Sequence, residues 1–275
     1  MTNERVREGG AAVSKETDVP DFCTVTRDGQ LFIVTMNRPE KRNSMPPDSH
    51  LQMEKLWDEF AADPNLRVGI LTGAGDKAFC SGSDLSGYQA GYDGTLPRSG
   101  GGGLTHRLDC RKPIIAAVNG VAMGGGLEIV LACDLAVADE SARLALPEVK
   151  VGLFAAAGGV QRLTRQIGRK AAMELILTGR TITAQRALEL GIVNAVAPNG
   201  ESLQAARSLA AMILANSPSA VRASKQVLNK IEEIEALKAA LDANAAILGQ
   251  LTRTNDFKEG VRAFVEKRTP HWTNE

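Results

Sequence analysis

Three consecutive glycines, Gly124-Gly125-Gly126, constrain this chain more than any other feature. They follow the apolar run Ile114–Val118 and the turn at Asn119-Gly120. They open the segment Gly124–Cys133, which has a helical pattern and leads into a second apolar run, Asp134–Ala138. Strand, helix, strand is the rhythm of α/β architecture. Two readings of the glycines fit. They let a helix pack tightly against a sheet, or they leave free amides at a helix N-terminus, able to donate to an oxygen that gains negative charge. Glu128 follows Gly125 by three residues, which puts it on the same helical face. A carboxylate beside such a donor suits acid–base work at a carbon next to a carbonyl.

The flanking pattern extends the α/β reading. Phe22–Arg27 and Leu31–Met36 read as strands joined at Asp28-Gly29, and Asn37-Arg38-Pro39 ends the second. Pro47–Ala62 reads as a helix with Leu51, Leu56, Trp57 and Phe60 facing inward, and Arg67–Thr72 as a short strand before Gly73 and Gly75. From Gly158 onward the pattern is nearly all helical, with Val193–Val196 the one strand. Helices are expected at Gly159–Gln166, Lys170–Leu177, Ala184–Leu190, Leu203–Ala215, Ala220–Lys230, Ile234–Leu248 and Asp256–Lys267. The chain thus divides into a flexible tail over 1–21, an α/β core over 22–198 and a helical region over 199–275. Gly87–Gly103 reads as a flexible loop, either a spacer or a lid over a pocket.

Composition narrows the function classes. Lys+Arg and Asp+Glu are 32 each, so no global field favours nucleic acid or an anionic membrane. Apolar residues at 44% exclude a wholly disordered chain. Cys23, Cys80, Cys110 and Cys133 have no C-x-x-C spacing, and His50, His106 and His271 lie far apart, so free thiols are expected rather than a disulfide framework or zinc site. No apolar run approaches the roughly 20 residues of a membrane span. Met1–Asp21 has no apolar signal core and carries acids, which points to a cytoplasmic protein.

Two further segments carry chemistry. Lys77-Ala78-Phe79-Cys80-Ser81-Gly82-Ser83-Asp84-Leu85 offers Asp84 as a helix cap, or Ser83 as a second amide donor after the turn at Gly82. Two converging donors form an oxyanion hole. In Leu146-Pro147-Glu148-Val149 an acid is bracketed by apolar residues. Glu148 either pairs with Arg143 or Arg162 or serves as a second catalytic carboxyl; spacing alone does not place it beside Glu128. Arg162, Arg165, Arg169 and Lys170 read as a solvated basic face, His106 as a surface residue, and Met36, Met45, Met53 and Met123 as packing. No Walker loop or G-x-G-x-x-G occurs.

These segments together resemble the crotonase superfamily, the enoyl-CoA hydratase/isomerase family, from about Phe22 to Trp272. The matching stretches include Asn37-Arg38-Pro39, Leu71-Thr72-Gly73, Ala78–Leu85, Lys112–Gly120, Gly124–Glu128, Pro147-Glu148, Gly158–Leu163 and Glu259-Gly260 with Ala263-Phe264 and Lys267-Arg268. The resemblance implies a ClpP-like spiral of ββα units with C-terminal trimerisation helices, assembled as a trimer or dimer of trimers. It implies acyl-CoA thioester substrates and no cofactor, coenzyme A being part of the substrate. Glu128 and Glu148 fall on both glutamates of the hydratase branch, and Ser83 and Gly125 on the oxyanion-hole amides. Lys41, Arg42 and Lys267 are expected near the CoA phosphates, and Ser81, Asp84, Leu85, Gly124 and Phe264 around the substrate. Hydration of 2-enoyl-CoA is the implied reaction. Another acyl-CoA reaction on this fold (isomerisation, dehydration, C–C cleavage) and a non-catalytic acyl-CoA- or RNA-binding protein are the alternatives. Three positions depart from the common pattern: Ser83 where Ala is frequent, Leu146 where a polar residue is frequent, and Phe154-Ala155-Ala156-Ala157 where Pro-Gly-Ala is usual.

Overall fold

The computed structural model describes residues 22–86, 92, 94–229, 239 and 248–271. The tail, the helix expected at Ile234–Leu248 (apart from Ala239 and Leu248) and part of the Gly87–Gly103 loop lie outside the described residues.

Strands β1 (Cys23–Asp28) and β2 (Leu31–Met36) form an antiparallel hairpin, with Gly29 at φ +56° in the turn. β2 then pairs in parallel with β3 (Val68–Gly73), β3 with β5 (Ile114–Val118), β5 with β7 (Leu135–Asp139) and β7 with β10 (Ala195–Ala197). Every residue of β3 and β5 is buried, because helices cover both faces of a parallel sheet. The last strand starts two residues later than expected. Val193 is buried, but as part of the preceding turn.

Helix α1 (Pro47–Ala62) supplies the aromatic centre of the main core. Phe32 stacks on Phe60 with centroids 5.6 Å apart, and Trp57 meets Phe60 edge-on. The inward stripe of α1 is His50, Met53, Leu56, Trp57 and Phe60; Leu51 is 50% exposed. The expected inward Leu51 is thus displaced by His50, the residue one step earlier, which keeps the three-and-four spacing with Met53 and Trp57.

A second sheet escapes the sequence reading. β4 (Ala78–Cys80), β6 (Val121–Met123) and β8 (Arg143–Ala145) pair in parallel, and β9 (Ile182–Thr183) closes the edge antiparallel to β8. Each is three residues or fewer, too short to show a period. The chain alternates between the sheets, β3 then β4, β5 then β6, β7 then β8. Helix α2 (Gly125–Ala132) follows β6, an inner strand of the small sheet, and starts two residues beyond Met123.

Six further helices complete the described fold: α3 (Gly159–Gln166), α4 (Arg169–Thr178), α5 (Ala184–Leu190), α6 (Ser202–Leu214), α7 (Pro218–Asn229) and α8 (Asn255–Glu266). α6 lays Ala206 and Ala210 on the outer face of the large sheet, against Ile33, Val68 and Ile115. α8 packs on the turn Glu148–Val151, so the helical region reaches the site.

Candidate active site

The Gly82 turn brings two amides together. Gly82 has φ +97°, and a Cβ there would stand 2.9 Å from the Met123 carbonyl oxygen and 3.3 Å from the Gly125 nitrogen. Met45 N–H donates to Gly82 O, and Asp84 N–H donates to Met45 O, both at 2.8 Å, pinning the loop on either side of Ser83. A Cβ on Gly125 would lie 3.7 Å from the Ser83 nitrogen. Among the described residues neither of these two amides donates to a backbone carbonyl. For Gly125 this follows from its place as the first residue of α2. A side chain at 82 would press on the Gly125 nitrogen, and one at 125 would stand against the Ser83 nitrogen.

Glu128 sits one turn into α2 and is 4% exposed. Gly159 N–H donates to its Oε1 at 2.9 Å. Burial pushes its pKa above the ordinary range; the Gly159 amide, the Arg162 charge and the Ala157 amide oppose that push. Arg162 is itself buried, donating to Thr105 O at 2.6 Å and Ala157 O at 3.4 Å. The solvated basic face expected from Arg162 onward is therefore corrected at its first member: α3 turns Arg162 inward, where its cation acts on Glu128.

Glu148 begins the short turn after Pro147, and buried Leu146 anchors it to the core. Both of its carboxyl oxygens are shut off from solvent and have no hydrogen-bond partner among the other described residues. It pairs with neither Arg143 nor Arg162: Arg143 donates to the carbonyls of Ser141 and Ala142. Burial, then the charge of Glu128, raises its pKa. A Cβ on Gly124 would stand 3.2 Å from Glu148 Oε1, so the first glycine of the triplet lets that carboxyl approach the start of α2 closely.

The two amides and both glutamates line one cavity of about 620 Å³. Arg42, Ser81, Asp84, Leu85, Gly124 and Phe264 also line it; Lys41 and Lys267 do not. Asp84 is engaged by Arg38 at 3.3 Å and by Ser86; though burial opposes them, these contacts hold its carboxyl below the usual range. Phe264 is 58% exposed and, with Gly260, brings α8 to the cavity. The Phe154–Ala157 departure also borders it through Phe154, Ala156 and Ala157.

The glycine end of the Gly87–Gly103 segment is not a free loop. Gly100–Gly103 is buried against α1, with Trp57 Nε1–H donating to Gly102 O at 3.2 Å. A Cβ on Gly102 would come within 2.5 Å of Ile129 Cδ1, and one on Gly103 within 2.6 Å of the Glu54 nitrogen. These glycines permit close packing rather than motion. His106, expected at the surface, is half-buried beside Thr105.

Sequence reasoning missed His50 as a lining residue. The available signal was a histidine on the apolar stripe of α1. It also missed Met45, whose methyl group would touch a Gly125 Cβ at 3.3 Å. Among the described residues no group of three or more His, Cys, Asp or Glu side chains could hold a metal ion.

Comparison with known proteins sets this geometry in a family. The family model "Enoyl-CoA hydratase/isomerase" matches residues 26–275. The chain is 42% identical to (E)-benzylidenesuccinyl-CoA hydratase of Thauera aromatica, over 86% of this chain and 93% of that one. It is 40% identical to mevalonyl-coenzyme A hydratase of Beauveria bassiana, over 88% and 91%. A crystal structure of carnitinyl-CoA hydratase from Mycobacterium avium superposes with a TM-score of 0.88 at 40% identity, covering 93% of this chain and all of that one. The two-sheet spiral is the crotonase fold, and the chain belongs to the enoyl-CoA hydratase/isomerase family.

Proposed function

We propose that the chain hydrates a 2-enoyl-CoA thioester to the 3-hydroxyacyl-CoA. Family membership supports acyl-CoA hydration in one direction or the other. The observation that carries the finer reading is the unequal surroundings of two carboxyls that line one cavity, one acting on the other through its charge. Glu128 has an amide and a cation to support its charge. Glu148 has neither, and feels the Glu128 charge. Repulsion between such neighbours disfavours a double anion, so the pair keeps one proton, and Glu148 is the better place for it.

Hydration uses that asymmetry. The Ser83 and Gly125 amides bind the thioester oxygen as it gains charge, each donor being worth about 3 kcal/mol in such holes. Glu128 as carboxylate takes a proton from water while the water oxygen attacks C3. Glu148 as acid delivers its proton to C2. Restoring the starting state needs one proton to move from Glu128 to Glu148, and atoms balance as enoyl-CoA plus water gives hydroxyacyl-CoA. Coenzyme A enters as part of the substrate, and no other cofactor has a role in these steps.

The relatives' names carry different acyl groups, so the acyl specificity of this chain is a separate question. The proposal includes a cytoplasmic location and a trimer or dimer of trimers built by the region 199–275. A series of trans-2-enoyl-CoA substrates of increasing chain length tests the reaction. Loss of the conjugated thioester absorbance, with 3-hydroxyacyl-CoA as the product, is expected. Migration of the double bond without water uptake would replace hydration by isomerisation.

A further inference from the structure

His50 is buried to 1% exposure, borders the cavity, and takes no part in the steps above. Its ring is held from one side only. The Gly102 N–H donates to Nδ1 at 3.2 Å, so Nδ1 carries no hydrogen and the neutral ring bears its hydrogen on Nε2. That Nε2 is buried and has no partner among the described residues. A buried donor left unpaired is costly, and a position that keeps one in a ligand cavity calls for an acceptor.

The ring's neighbours place it on the wall of the cavity that α1 and the Gly100–Gly103 turn build. Gly102, the partner of Nδ1, packs on Ile129, the residue after Glu128. His50 thus lines the cavity from α1, beside the buried Gly100–Gly103 turn that packs on α2 at Ile129. A hydrocarbon acyl chain would leave Nε2–H without an acceptor. An acyl oxygen at the right position would satisfy it.

We propose that His50 Nε2–H donates to an uncharged oxygen on the acyl chain, so that the substrate class is acyl-CoA thioesters bearing a hydroxyl or keto group beyond the reacting carbons. The inference rests on the hydratase reading for the identity of the site. Burial holds the imidazole far below its ordinary pKa, at about 4, which keeps the donor neutral in neutral solution. A neutral donor in a buried position matches an uncharged oxygen better than a carboxylate, whose desolvation it would not offset. Arg268, which also lines the cavity, is already paired with Glu259 and Glu266.

The test is a matched series: ω-hydroxy-2-enoyl-CoA thioesters against the 2-enoyl-CoA thioesters in which CH3 replaces OH. The readout is the ratio of kcat/KM within each pair, and the ratio of calorimetric affinities for the saturated counterparts. The wild-type protein should favour the hydroxyl member by about 10-fold or more at one chain length. His50→Phe should bring that ratio to one, and His50→Gln, which keeps a donor, should retain part of it. No hydroxyl preference at any length, or a preference that survives His50→Phe, overturns the proposal. So does a preference confined to an ω-carboxylate series. If His50→Phe does not fold, His50→Gln and the wild-type ratio decide. If affinities show the preference but neither member is hydrated, the hydratase reading fails and the role of His50 stands.

Discussion

Glu128 holds Gly159 N–H at 2.9 Å, whereas Glu148, which feels its charge, has no donor from any other described residue on either carboxyl oxygen. One carboxyl is thus built to be an anion and the other to keep a proton. Their pH behaviour should follow. Hydration needs the singly protonated pair, so kcat should rise with pH as Glu128 ionises and fall as Glu148 ionises. Both pKa values are raised by burial, so both limbs should lie above the range of ordinary carboxylates. The apparent values belong to the pair. A pH–rate profile whose acid limb lies near pH 4 would contradict the burial argument.

The same shifts carry a stability cost with a definite sign. A carboxyl whose folded pKa exceeds its unfolded value binds more protons when folded, so stability falls as pH rises through that interval. Glu148→Gln removes the buried titration. Its Tm should exceed wild type at pH 9 and converge on wild type near pH 4. A variant equally or less stable at pH 9 would mean that Glu148 gains its charge without penalty.

On the proposed reaction, changes at Gly125 and Gly126 should separate catalysis from folding. Gly125 needs no left-handed conformation, and a Cβ there meets Met45 Cε at 3.3 Å, a flexible side-chain end. Gly125→Ala should fold, because only that methyl must shift, yet the new Cβ would crowd the gap before Ser83 N–H. We expect kcat/KM to fall about 100-fold with little change in Tm. At Gly126 a Cβ would collide with the Cys80 carbonyl, which is backbone of the adjoining strand. Gly126→Ala should lower Tm markedly; equal effects of the two changes on Tm would refute the distinction.

How much of this was legible turns on element length and on long-range contact. α1 and α2 announced themselves through periodicity and glycine punctuation, and both ends of α1 fell where the pattern put them. The small sheet did not, because Ala78–Cys80 and Val121–Met123 are too short to alternate and pair only with distant segments. At the site, Glu128 and Gly125 were tied by local helix spacing. Glu148 is twenty residues away in sequence, and only the resemblance suggested its partner. Arg162 was misread because its helix looked amphipathic with charges outward, while a single turn buries that one cation. The glycine run at 100–103 signalled freedom in sequence but close approach in the fold.

Assembly should be visible without substrate. Helix α7 has no buried residue in the single chain, and it exposes Val227 at 65% and Leu228 at 62%. Met212 on α6 is exposed as well. Apolar side chains left out on neighbouring helices suit burial against another copy. Light scattering at micromolar concentration should report a trimer or hexamer. A monodisperse monomer would contradict the assembly expected of the region 199–275.

The division of labour between the two glutamates is tested most directly by the steady-state hydration rate of Glu128→Gln and Glu148→Gln on one good 2-enoyl-CoA substrate. Each change keeps size and hydrogen-bonding groups but removes proton transfer, a contribution of typically about 100- to 10,000-fold. The account predicts that each variant loses at least about 100-fold in kcat while acyl-CoA binding survives, and that the double variant loses less than the product of the two. Near-normal hydration by Glu148→Gln beside an inactive Glu128→Gln would contradict it, and would leave a single-base reaction such as isomerisation as the chemistry of the site.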